Sequence, residues 1–222
     1  MSLSFSNSGA EATQFKRSLR RLEQDVLRMG TLVENSFRLS HEALFHRNLS
    51  VIKEISDLDD QVDQYYRQIE IKCANLITKQ GAAAQDLRLL SAFMQLVRDI
   101  ERIGDYAEDL AEIAVKLFPY PVPSYMAEVE EMSHNAQAML AKSLVALGDL
   151  DATTGSEIKN LDDAVDDAHD RLYQILAFQR DVPGVVEPIL LLALVIRHLE
   201  RMADHATNIG QRVLYIVTGH RD

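Results

Sequence analysis

The second half of this sequence repeats the first half, and this repeat limits the possible folds more than any other feature. LDDQVD at 58–63 recurs as LDDAVD at 161–166, a separation of 103 positions with five of six residues identical. Beyond a loop that is four residues shorter in the second half, RDIERIGD at 98–105 matches RHLERMAD at 197–204, now 99 positions apart. A register broken by one loop deletion indicates a tandem repeat of about 100 residues.

Each repeat has the pattern of three amphipathic helices. Apolar residues recur at spacings of three and four, and no long segment alternates as a half-buried strand does. Short loops make neighbouring helices antiparallel. We therefore predict an all-α fold of two tandem three-helix bundles, with six long antiparallel helices related by the internal repeat. The predicted helices span residues 12–46, 48 or 50 to 78, 86–118, 125–147, 153–178 and a last segment that ends near 217.

Turn-forming residues separate the predicted helices. FPYPVPS at 118–124 places three prolines within five residues, and a helix cannot continue through them. Other breaks are predicted at Gly81, at GDLD (148–151) and at RDVPG (180–184). We expect the N-terminal MSLSFSNSGAEA to be a frayed tail. The predicted domains are residues 12–118 for the first repeat and 124–217 for the second.

Charge and hydropathy exclude two classes of partner. Lys and Arg number 23 against 34 Asp and Glu, so the net charge is −11 and most of the surface repels a phosphate backbone. We therefore predict no nucleic acid partner. The longest apolar run, ILLLALVI at 189–196, is far shorter than the roughly 20 residues that cross a bilayer. No membrane span is predicted.

The single cysteine, Cys73, cannot form an internal disulfide, which is typical of a reducing compartment. Its apolar neighbours Ile69, Leu76 and Ile77 predict a thiol in the hydrophobic core. The N-terminus lacks the basic and then apolar segments of a signal peptide. We therefore expect a cytoplasmic protein.

Acidic residues recur at a spacing of four on the third predicted helix. Glu101, Asp105 and Asp109 stack in one row there, and each neighbouring pair of like charges costs a few tenths of a kcal/mol. The last helix repeats the row with Glu200 and Asp204. Because the same unfavourable row occurs twice, we infer that it serves a purpose.

The second helix of each repeat supplies a further acidic pair beside its apolar stripe. These pairs are Asp59 with Asp63 and Asp162 with Asp166. At about 100° per residue, each pair stands roughly 60–100° from the stripe, so antiparallel packing brings four carboxylates together in each bundle. Without cations such a group raises its own pKa values and loosens the bundle. We therefore predict a multivalent metal ion at each group, with Mg, Ca, Mn or ferric iron suited to oxygen ligands and zinc acceptable.

A plainer interpretation pairs these acids with basic neighbours. The candidate partners are Arg98, Arg102, Arg197 and Arg201. The duplication of all four acids favours metal over this salt-bridge interpretation. His198 and His205 have no counterparts in the first repeat and are expected to be surface or packing residues.

Catalytic motifs are missing from the sequence. There is no Gly-rich phosphate loop, no Gly-x-Ser-x-Gly and no plausible Cys/His nucleophile pair. Glu131 and His134 form a lone Glu-x-x-His, whereas di-iron bundles use this motif twice. The alternative function is a carboxylate-bridged metal enzyme, a phosphatase or oxidase, which needs an open coordination position with a base beside it.

The motifs ERIGD, ERMAD and LDDxVD, together with QDLRLL at 85–90, resemble the PhoU family of bacterial phosphate-transport regulators. The resemblance covers nearly the whole chain after residue 12. It implies a cytoplasmic, non-enzymatic negative regulator of phosphate uptake and of phosphate-starvation signalling. Such a protein is an adaptor between a phosphate ABC transporter and a sensor histidine kinase, peripheral to the membrane through these partners.

The resemblance also implies metal sites with iron, zinc or other divalent ions. They would use Glu101, Asp105, Asp59 and Asp63 in the first repeat, and Glu200, Asp204, Asp162 and Asp166 in the second. Two departures stand out: Asn208 replaces Asp109, and VVEP at 185–188 replaces QDLR. The first predicts a second site with less charge and fewer ions. The native ion and the oligomeric state, including a homodimer, stay open from the sequence.

Overall fold

The computed structural model describes residues 5–78, 83–179 and 184–220, and these residues contain helices and no strand. The predicted all-α class is therefore confirmed. The helices are α1 (Phe5–Phe45), α2 (Ile52–Ile77), α3 (Ala84–Leu117), α4 (Met126–Asp149), α5 (Gly155–Ala177) and α6 (Glu187–Thr218), with a short 3-10 helix at Leu49–Val51.

The observed helix bounds lie within a few residues of the predicted ones, except at the start of α1. The segment that we expected to be a frayed tail is helical from Phe5 onward. It contains no proline, so the helix that Phe15 and Leu19 anchor in the core can extend toward the N-terminus. The predicted break at Gly81 and most of the one at 180–184 lie outside the described residues.

Special backbone conformations end three of the helices. Arg47 follows α1 with a φ of 56°, and its guanidinium donates to the backbone oxygens of Phe118 and Tyr120 in the proline-rich turn. Leu150 and Gly219, with φ values of 51° and 78°, end α4 and α6 in the left-handed conformation typical of helix C-termini. These caps agree with the breaks predicted after α1 and α4.

Two three-helix bundles, α1–α3 and α4–α6, pack side by side through α1 against α4 and α3 against α6. The α3/α6 pair is antiparallel, because Asp99 contacts His205 whereas Asp109 faces His198. One hydrophobic core runs through both bundles. The repeats therefore form a single packed body, and the domain bounds 12–118 and 124–217 stay a prediction.

Cys73 is fully buried in this core, as predicted, and burial raises the pKa of its thiol to about 12. No helix in the described part of the chain combines the length and the hydropathy that crossing a bilayer requires.

Candidate functional site

The predicted carboxylates of the first repeat lie along the line where α2 packs on α3. We call this set, Asp59, Asp63, Glu101 and Asp105, the first acidic seam. The two helices pack closely at Gly104, where a Cβ would lie in ordinary contact, 3.5 Å from Val62 Cγ1 and 3.8 Å from Asp59 Oδ1. The packing of the repeat thus places one acidic pair beside the other.

The carboxylates of the first seam are close enough to repel one another. The pKa of Asp59 is raised to about 6, mainly by burial and then by the negative charges of Glu108 and Asp105. Burial and Asp105 raise the pKa of Glu101. Burial also raises the pKa of Asp105, with a further contribution from Asp63, although Arg102 opposes the shift. All four predicted residues therefore belong to one electrostatic group.

Arginines form ion pairs with two of the four carboxylates of the first seam. Arg102 Nη1 donates to Asp105 Oδ2 at 2.7 Å, and Arg67 pairs with Asp63. In the described part of the chain, Asp59 and Glu101 have no ion-pair partner. The salt-bridge interpretation therefore explains only two of the four acids.

The second acidic seam lies between α5 and α6. It consists of Asp162, Asp166, Glu200 and Asp204. Arg201 Nη1 donates to Asp204 Oδ2 at 2.8 Å, and Arg197 pairs with Glu200. Lys159 Nζ lies 3.4 Å from Asp162 Oδ2. Among the described residues of this seam, Asp166 alone lacks a cation, and its pKa is raised by burial and then by Asp162 and Asp204.

The donor set of both seams suits a hard cation. Every candidate donor is a carboxylate, and Asp162 Oδ1 is buried without a hydrogen-bond partner in the described structure. Among the described residues, no three seam carboxylates place ligand oxygens within 4.8 Å of one another. In the described residues, the three potential ligand atoms that lie within 4.8 Å of one another belong to His41, His46 and Glu130.

The other polar residues that the sequence singled out near the acids lie beside the first seam and at the α3/α6 interface. Asp109 contributes to the raised pKa of Asp105. Asn208, its counterpart, donates to Asp99 Oδ1 at 3.2 Å across the interface. Arg98 forms no ion pair in the described residues. His198 and His205 are mostly buried at this interface, where His205 Nδ1 lies 2.8 Å from Asp99 Oδ1 and His198 Nε2 lies 4.0 Å from Asp109 Oδ2.

The cluster of His41, His46 and Glu130 was missed in the sequence. His41 and His46 lie at the end of α1, while Glu130 lies on α4, about 90 residues away. The sequence drew attention to Glu131 and His134, the neighbouring Glu-x-x-His, but no local spacing connects α1 with α4. Only the packing of the two repeats brings the three ligand atoms together.

Comparison with known proteins decides the family. The PhoU domain matches residues 26–114 and 129–213, once in each repeat. This chain belongs to the PhoU family. Both acidic seams lie within the matched residues.

Relatives and solved structures agree with this membership. A phosphate-specific transport system accessory protein PhoU homolog from Synechocystis is 61% identical over 221 residues, covering 100% of this chain and 99% of the relative. The crystal structure of PhoU from Pseudomonas aeruginosa superposes with a TM-score of 0.88 at 30% identity, covering 93% of this chain and 100% of that one. The phosphate transport system regulatory protein PhoU from Streptococcus pneumoniae gives 0.85 at 26%, covering 94% and 99%.

Proposed function

We propose that this chain is a non-enzymatic negative regulator of phosphate uptake and of phosphate-starvation signalling. Membership of the PhoU family supports an accessory or regulatory role in phosphate transport, since relatives are named as accessory and regulatory proteins of phosphate transport systems. The observation that carries the proposal is the 61% identity to such an accessory protein over the whole chain. The matched region covers both repeats and both seams.

In this proposal the protein acts in the cytoplasm as an adaptor. It contacts the ATPase of a phosphate ABC transporter and a sensor histidine kinase, and it reaches the membrane only through them. When phosphate is plentiful, the adaptor keeps the starvation response off. Exposed apolar side chains at the α3–α4 turn and at the start of α6, including Phe118, Val122 and Leu190, offer surface for protein contact.

The two acidic seams are the proposed metal sites of this adaptor. Asp59, Asp63, Glu101 and Asp105 would hold a multivalent cation in the first repeat, as would Asp162, Asp166, Glu200 and Asp204 in the second. A bound cation supplies positive charge that offsets the repulsion within a seam and ties its two helices together. Asp59 and Glu101 support this assignment, because neither has an ion-pair partner among the described residues and burial raises the pKa of both carboxyl groups.

A deletion strain of the source bacterium tests the regulatory role. It carries a reporter on a promoter that phosphate starvation induces, and it is grown in phosphate-rich medium. We expect the deletion to switch the reporter on and the wild-type chain to switch it off. The double variant Glu101→Gln with Asp105→Asn should restore less repression than a control that carries Glu112→Gln and Glu128→Gln, two exposed acids outside the seams. A reporter that stays silent in the deletion strain contradicts the regulatory role.

Direct binding tests the adaptor role separately. Tagged wild-type chain is incubated with purified transporter ATPase or with the purified cytoplasmic part of the histidine kinase, and binding is measured by calorimetry. We expect saturable binding to both proteins. If neither binds while the deletion strain loses repression, the protein regulates phosphate uptake by a route other than this adaptor contact.

A further inference from the structure

A cluster of imidazole and carboxylate groups joins the two repeats where α1 crosses α4. It consists of His41, His46 and Glu130. His41 is 6% exposed, whereas Glu130 and His46 are 35% and 54% exposed, so the cluster extends from the interior to the surface. An ion can therefore enter from solvent and still contact a buried ligand.

The distances in this cluster are close to those of a metal site. Glu130 Oε1 lies 3.9 Å from His41 Nε2 and 3.7 Å from His46 Nε2. All three ligand atoms lie within 4.8 Å of one another. Around a tetrahedral Zn²⁺ with bonds of about 2.0–2.1 Å, ligand atoms are about 3.4 Å apart. Small rotations of the exposed His46 and the half-buried Glu130 side chains would close the difference.

Both histidines are oriented by a partner on their other ring nitrogen. His41 Nδ1 lies 3.0 Å from Ser133 Oγ, and His46 Nδ1 lies 3.0 Å from Glu42 Oε2. The two Nε2 atoms therefore point toward the same Glu130 oxygen. Metal-binding histidines typically have such a partner behind them, because it fixes the ring and makes the free nitrogen a better donor.

His41 is also placed to present its second ring nitrogen to the cluster. When the Nδ1 proton is donated to Ser133 Oγ, Nε2 carries a lone pair that faces Glu130 Oε1. In that tautomer two electron-pair donors face each other, and a cation can bridge them.

The internal repeat supplies a comparison within the molecule. At the separation of 103 positions, Leu144 corresponds to His41, and Ser133 corresponds to Gly30. At this matching end of the α1/α4 crossing, Leu144 covers Gly30, where a Cβ would lie 2.5 Å from Leu144 Cδ2. The same crossing thus closes with apolar packing at one end. The polar groups at the other end are not needed for the packing itself.

We propose that His41, His46 and Glu130 bind one divalent transition-metal ion of the Zn²⁺ type and so fasten the end of α1 to α4. Two imidazole nitrogens and one carboxylate oxygen suit Zn²⁺ or Co²⁺ better than Mg²⁺ or Ca²⁺. The centroid of the His134 ring lies 4.5 Å from that of the His41 ring, so this third imidazole borders the cluster. This site differs from the acidic seams in its donors and in its place between the repeats.

Titration of the metal-free full chain with Co²⁺ and Zn²⁺ tests the proposal. We expect one equivalent of Co²⁺ to give the strong visible absorption of a low-coordinate site, and one equivalent of Zn²⁺ to remove it. His46→Gln and Glu130→Gln should each abolish this band. The matched controls His220→Gln and Glu131→Gln, which change the same residue types outside the cluster, should keep it.

Two further measurements distinguish metal binding at this cluster from metal binding at the seams and from the effects of misfolding. The band should persist in the Glu101→Gln, Asp105→Asn double variant, because that variant changes only the first seam. In histidine NMR spectra, substoichiometric Zn²⁺ should shift the ring signals of His41 and His46 but not those of His169. Unchanged His41 and His46 signals, or an intact band in folded His46→Gln protein, would overturn the proposal.

Discussion

The two acidic seams have the same backbone frame and the same four acids, yet they differ in how far their charge is compensated. In the first seam, Asp59 and Glu101 have no ion-pair partner among the described residues. In the second, Asp166 alone lacks one. Burial raises the pKa of Asp59, Glu101 and Asp105 in the first seam and of Asp166 in the second. Duplication preserved the acids while their surroundings diverged.

One position explains much of this difference. Lys159 of the second repeat corresponds to Ser56 of the first, 103 positions earlier. The Lys159 ammonium pairs with Asp162 and Asp163, whereas the Ser56 hydroxyl donates to Glu108 Oε1 at 2.8 Å and brings no charge. We therefore expect the first seam to bind cations more tightly than the second.

The largest expected effect comes from removing the acids of one seam at a time. Glu101→Gln with Asp105→Asn should lower cation affinity at the first seam well over tenfold, since even residues behind metal ligands typically contribute about 10–100-fold. Glu200→Gln with Asp204→Asn should remove a weaker site. The Mn²⁺ or Fe²⁺ content after dialysis measures the loss in both double variants. Circular dichroism should show that their bundles stay folded. Unaltered metal content in both variants contradicts the seam assignment.

Asp59→Asn should stabilise the metal-free protein at pH 7 by about 1–2 kcal/mol, a figure reduced for solvent screening. The folded pKa is about 6 against an ordinary 3.8, so the folded state binds more protons between these values. Wild-type stability therefore falls as the pH rises through this window, and Asn removes the loss. Urea unfolding with chelator, at pH 4 and pH 7, measures the free energy of unfolding.

The control for this change is Asp57→Asn, an exposed acid on the same helix that should change stability little at either pH. The gain from Asp59→Asn should nearly vanish at pH 4. An equal gain at both values would show that side-chain volume, and not charge, is responsible.

Exchanging Ser56 and Lys159, the residues at the divergent position, should alter the difference in cation affinity between the two seams. Lys159→Ser should raise cation affinity at the second seam about two- to fivefold, and Ser56→Lys should lower it at the first by a similar factor, as about 0.5–1 kcal/mol of partly exposed charge interaction implies. Isothermal titration with Mn²⁺ measures both changes. Lys142→Ser, which removes an exposed lysine paired with Glu157 in the same bundle, is the control and should leave both affinities unchanged.

The smallest expected effect is on stability when an arginine is removed. Arg197 pairs with Glu200 and is largely exposed, so Arg197→Gln should change the free energy of unfolding by less than about 0.5 kcal/mol. Arg98→Gln, at the matching position, should change it less still, because Arg98 has no ion pair in the described part of the chain. Urea unfolding of the two variants side by side makes the comparison. A loss above about 1 kcal/mol in Arg197→Gln would show that this pair, and not a cation, mainly stabilises the second seam.

The sequence was sufficient to predict the helical class, the internal repeat and the acids beside each core stripe. Each of these depends on local periodicity: apolar spacing of three and four defines a helix, and a spacing of four places Glu101 and Asp105 on one side of it. The prolines at 118–124 likewise fix a break by their own geometry. The N-terminal part of α1 was mispredicted because weak local signals do not show how far a core-anchored helix continues.

Contacts between distant segments were decided only by the tertiary structure. Packing placed Asp59 of α2 near the charges of Glu108 and Asp105 on α3. The arginine–carboxylate pairs of the seams, by contrast, are local, since each joins residues three or four positions apart on one helix. Tertiary packing decided only the approach of one helix to another. It also brought His41 to Glu130 across the two repeats. The periodicity of a helix fixes the direction of a side chain around its own axis. The distance to a side chain on another helix depends on how closely the two helices pack, which is a property of the whole core.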